Sequence, residues 1–131
     1  MQAFLAEAHA LGGDHAAALA AIAIADELTK PDDILNHIVT HRVKARIALA
    51  SRDDEAAERC ARSAVQCALP TDNLLQHAGA RLTLAEVLTA LGRQNQAAAE
   101  AQAALELYGR KGDLPGVAVA QALLSKLDAS A

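Results

Sequence analysis

Aromatic residues are almost missing from this 131-residue chain, which has one Phe, one Tyr and no Trp. A core built on stacked rings is thereby excluded, and the buried surface has to come from aliphatic side chains. Like charges never run five or six together and the net charge is −4, so the clustered Lys and Arg that displace counterions from nucleic acid are missing. No unbroken apolar stretch reaches the roughly 18 residues that span a bilayer. Met1, Gln2 and Ala3 lack the basic segment that opens a signal peptide. The expected setting is cytoplasmic, with neither nucleic acid nor membrane as partner.

Cysteine is scarce as well. Cys60 and Cys67 are seven residues apart on one expected helix, about 10.5 Å along its axis. That exceeds the roughly 7 Å between Cα atoms that a disulfide tolerates, so both read as small apolar side chains of a reduced protein. The glycine-rich phosphate loops and the G-x-S-x-G nucleophile turn do not occur. His37 and His41 stand one helical turn apart, but Ile38 follows His37 where H-E-x-x-H needs Glu, and His77 repeats His37 at an offset of 40. A repeat position accounts for these histidines. The expectation is no enzyme, no metal and no cofactor.

What the chain does have is alanine, about a quarter of its residues. Alanine loses no side-chain entropy in a helix, which points to an all-α fold with closely approaching axes. The alanines recur in register. Ala6, Ala45 and Ala85 fall in step, as do Ala18, Ala57 and Ala97, then Ile22, Ala61 and Ala101, then Ala25, Ala64 and Ala104; Gly13, Arg52 and Gly92 mark the turns. The offsets are 39 and 40 throughout, a period that belongs to stacked helical hairpins.

The punctuation repeats with the helices. One hairpin is expected over about 1–30, turning at Gly12-Gly13-Asp14 and stopping at Pro31. A second covers 33–69, with helices Ile34 to Ala50 and Asp54 to Ala68, capped by Asp32 or Asp33 and ended by Pro70. A third covers 72–109, with helices Asn73 to Leu91 and Gln94 to Tyr108, capped by Thr71 or Asp72. Gly109 to Gly112 read as a loop, and Leu114 to Leu127 as a C-terminal capping helix. The cap before Ala6 would lie upstream of Met1, so the first hairpin reads as shortened and the chain as the C-terminal part of a longer protein. A hairpin cut short would leave Phe4, Leu5 and Leu11 partly uncovered and would favour a homodimer.

The register resembles the tetratricopeptide repeat, W-x2-L-G-x2-Y followed by A-x3-F and a closing Pro. Arg81, Leu84, Ala85 and Leu88, then Ala97 and Ala101, occupy those places in the third hairpin; Gln2, Leu5, Ala6 and His9, then Ala18 and Ile22, occupy them in the first. The second reads His41, Lys44, Ala45 and Ala48, then Ala57 and Ala61. No aromatic fills the Trp or Tyr places. The string from Ala45 to Leu74, continued by Arg81 to Asp113, also resembles the C-terminal repeat region of large bacterial signalling ATPases, whose nucleotide-binding module is often joined to an adenylyl cyclase or a helix-turn-helix domain. These resemblances imply an α-solenoid that binds a protein or peptide, or upstream domains of its own polypeptide, as a regulatory scaffold. They also imply a groove lined by the first helix of each hairpin. On it Arg42 and Arg46 form an i, i+4 cationic pair, with Leu82 and Glu86 as their period-mates.

Overall fold

The computed structural model describes residues 33–130 together with Ala20, Ile22 and Ala23. The expectations for the first hairpin, including Phe4, Leu5 and Leu11, lie outside these residues. Five helices make up the described part, and no strand occurs in it: α1 Ile34–Ala50, α2 Asp54–Ala68, α3 Leu74–Ala90, α4 Gln94–Lys111 and α5 Leu114–Ser130. Helices α1, α3 and α5 are each 17 residues long and begin at 34, 74 and 114. Helices α2 and α4 begin at 54 and 94. The period of the alanines is therefore also the period of the helices.

Caps and turns explain the boundaries. The carboxylates of Asp33, Asp53 and Asp113 accept from the amides of Asn36, Ala56 and Gly116, each satisfying an amide that the first helical turn leaves open. At α3 the cap is Asn73, which accepts from the Gln76 amide at 3.2 Å. The expected caps Thr71 and Asp72 are displaced because the Thr71 hydroxyl instead donates to the Ala68 carbonyl at 2.8 Å, closing the end of α2. One turn recurs three times: the amides of Asp53, Arg93 and Asp113 reach back to the carbonyls of Ala48, Leu88 and Tyr108. Each closure needs a left-handed residue just before it, supplied by Arg52 (φ 62°), Gly92 (φ 80°) and Gly112 (φ 78°). The third corrects the expected loop over Gly109 to Gly112. Gly109 stays helical, and α4 runs to Lys111 because only Gly112 takes up the left-handed turn.

Packing divides the helices into two kinds. Helices α2 and α4 are one-sided, burying Ala57, Ala61, Ala64, Val65 and Ala68 in one and Ala97, Ala101, Ala104 and Tyr108 in the other. Helix α3 is buried on nearly all sides, packed by α1, α2, α4 and α5. The in-register alanines at 45, 57, 61, 64, 85, 97, 101 and 104 are all fully buried, and Ile22 is buried too. Ile38, Leu84 and Leu88 fill the space between them, each contributing about 1.5 to 3 kcal/mol by leaving water. Helices α2 and α4 make no close backbone approach to each other, so a gap lies between them, backed by α3.

Candidate interaction surface

The two arginines singled out by spacing lie on α1 and reach across to α3. Arg42 Nε donates to Thr83 Oγ1 at 3.0 Å, and the Thr83 hydroxyl donates in turn to the Gly79 carbonyl at 3.0 Å. The guanidinium lies over Gly79. A Cβ at that position would sit 2.7 Å from Arg42 Nη1, so glycine is what lets the charged group rest on the helix backbone. One turn further on, Arg46 Nη2 stands 3.6 Å from Glu86 Oε2, with 17% and 37% of the two side chains exposed.

The surface therefore differs in detail from a bare cationic pair. Glu86, the period-mate of Arg46, is its ion-pair partner across the helices, and Leu82 takes no part in an open surface. Leu82 is 6% exposed and packs with Ala78, Ala104, Tyr108 and Ala120. Sequence reasoning passes over Gly79, Thr83 and Tyr108, since no spacing rule links residues on three helices. Burial holds the Tyr108 phenol above its usual range, with Arg42 acting in the opposite direction.

A second polar assembly spans the gap between α2 and α4. Glu58 receives Arg62 Nε at 2.9 Å and Arg93 Nη1 at 2.7 Å. These two hydrogen bonds, Arg62 first, hold its carboxyl below the usual range. Arg62 also reaches Gln96 at 3.5 Å. Deeper along the gap, Arg81 pairs with Glu100 at 2.9 Å, and its Nε donates to His77 Nε2 at 3.2 Å. Burial, followed by the charge of Arg81, pushes the His77 imidazole below its ordinary value. A cavity of about 260 Å³ opens beside this pair, with Val65, Leu69 and Leu84 as its apolar walls and Arg62, Gln66, Arg81 and Glu100 as its polar ones.

Among the described residues, no three His, Cys, Asp or Glu side chains are grouped so as to hold a metal ion. No described helix is long and apolar enough to cross a membrane. No family model matches the chain, and neither does any curated protein or solved structure.

Proposed function

We propose that the chain is a non-catalytic protein–protein interaction module. On this reading it is a tetratricopeptide-like α-solenoid of stacked hairpins that serves as a regulatory segment of a bacterial signalling protein and engages a protein or peptide, or neighbouring domains of the same polypeptide. The observation that carries the reading is the recurrence of one helix-turn-helix unit at 40 residues, in the starting positions of both helices, the left-handed turn between them and the buried alanines alike. A unit of that kind covers its neighbour and leaves side chains of successive first helices in a row, available to an extended ligand. Arg42 and Arg46 of α1 and Glu86 of α3 belong to those first helices and are half-buried, Arg42 held by Thr83 of α3 and Arg46 paired with Glu86. Side chains fixed before binding lose little entropy on binding.

The test is calorimetric titration with an acidic ten-residue peptide at about 50 mM and about 300 mM salt, since exposed charges are screened over about 10 Å at 0.1 M. Binding is expected at low salt, weaker at high salt, and absent from the Arg42→Ala, Arg46→Ala double variant. Equal affinity in the variant would remove this surface from the account of binding.

A further inference from the structure

The cavity of about 260 Å³ between α2 and α4 stands apart from Arg42 and Arg46, and its walls are of two kinds. Leu84 of α3, 2% exposed, backs it, and Val65 and Leu69 of α2 flank it, with Leu69 left 48% exposed for so large an apolar group. The remaining lining is polar. Arg62 and Arg81 bring two guanidiniums to it and Glu100 one carboxylate, with the neutral Gln66 beside them.

The ion pairs around this cavity do not balance. Glu100 answers Arg81 at 2.9 Å, but Glu58 is shared between Arg62 at 2.9 Å and Arg93 at 2.7 Å, so three guanidiniums meet two carboxylates. His77 adds no carboxylate and no counter-charge. Its Nε2 accepts from Arg81 Nε, which keeps that nitrogen unprotonated, and burial followed by the Arg81 charge opposes a second proton on the ring. Donors are left over as well, because a guanidinium offers more N–H groups than these contacts use. Arg81 commits Nε to His77 and Nη1 to Glu100, while Arg62 commits Nε to Glu58 and holds Nη2 3.5 Å from Gln96. Among the described residues, Arg81 Nη2 and Arg62 Nη1 have no partner.

We propose that the cavity is a binding site for a small monocarboxylate with a short aliphatic body, its carboxylate taken by Arg62 and Arg81 and its body laid against Val65, Leu69 and Leu84. One carboxylate is what the charge count lacks, and arginine with carboxylate forms one of the strong charge-assisted hydrogen bonds. Size sets the rest. An apolar cavity of about 150 Å³ takes benzene and drug-sized sites begin near about 300 Å³, so this one admits about ten non-hydrogen atoms at most. A ligand held there touches α2, α3 and α4 at once and acts as an effector of the interaction module.

Methyl-resolved NMR during titration with 4-methylpentanoate, up to about 10 mM, reads both place and affinity. The signals of Val65, Leu69 and Leu84 should shift and saturate with a Kd of about 1 mM or below. Acetate, which lacks the body, and 4-methylpentanamide, which lacks the charge, should each bind about tenfold more weakly or not at all. Arg62→Met should weaken the acid by a similar factor while Glu58 keeps its bridge to Arg93, and Leu69→Ser, at an exposed site, should repeat the loss in case the first variant unfolds. Arg59→Met, which removes the same charge from an exposed position of α2 outside the cavity, should bind like the parent. So should the Arg42→Ala, Arg46→Ala variant, which makes this site and the acidic-peptide surface stand or fall separately. Shifts absent at the highest concentration, an amide as good as the acid, unchanged affinity in Arg62→Met, an equal loss in Arg59→Met, or tighter binding of a peptide ending in leucine than of the free acid would each overturn the proposal.

Discussion

Single residues in this chain are legible when chemistry forces them and silent when a neighbour from another helix decides. Asp33 and Asp53 cap their helices as their position before an apolar run requires. Arg52 is marked in the sequence only by falling in step with two glycines, and its φ of 62° shows why the step matters. His77 shows the other case, because its environment comes from Arg81 on its own helix and Glu100 on α4. Its pH consequence has a definite sign. Above the ordinary imidazole value of 6.5, His77 is neutral in both folded and unfolded chains and contributes no pH dependence. Below that value the unfolded chain takes up the proton first, since the folded site disfavours it, and stability falls with pH. His77→Gln keeps an acceptor for Arg81 without titrating. Urea midpoints at pH 7.5 and pH 5.5 should therefore differ less for the variant than for the parent; equal differences would mean that His77 does not carry the effect.

At the level of whole helices, α1 and α2 are readable to the residue, because Asp caps stand in front of them and a turn or proline behind. The end of α4 is harder to read because glycine in a sequence can mean either a turn or a close approach. Substitution separates the two meanings. Gly109 lies inside α4 with nothing within 4 Å of an added Cβ, whereas a Cβ on Gly116 of α5 would collide with the ring of Tyr108. Gly109→Ala should stabilise the chain by about 0.5 to 1 kcal/mol through backbone entropy alone. Gly116→Ala should destabilise it by about 1 to 3 kcal/mol, because the buried Tyr108 ring has to move and α5 with it. Chemical denaturation of both variants checks the contrast, and a shared sign would contradict the packing of α5 against α4. The candidate site is legible only in part for a related reason. Arg42 and Arg46 stand out by spacing, but Thr83 and Gly79, which hold Arg42, are 41 and 37 residues away and follow no local rule.

For the molecule as a whole, the period is visible before any helix is placed, since alanines at fixed offsets are what a stack without aromatics must use. Its energetic test sits at the fully buried Ala61: Ala61→Leu should overpack the interior and cost about 1 to 3 kcal/mol, while Ala56→Leu, half-buried at the helix start, should cost less. Equal losses in urea titrations would break the register. The gap between α2 and α4 has a mechanical consequence of its own. Without close backbone approach there, the separation of the two helices is set by α3 behind them and by the bridges from Glu58 to Arg93 and from Arg62 to Gln96 in front. Charges of this exposure weaken when salt shortens their reach from about 10 Å at 0.1 M to about 3 Å at 1 M. Raised salt should then loosen the front of this gap while α3 keeps its back, so that the spacing of α2 and α4 follows ionic strength. X-ray scattering from dilute solution should show the radius of gyration growing with salt at constant helicity, and Glu58→Gln should start from the wider value. A radius indifferent to both would mean that α3 alone sets the shape.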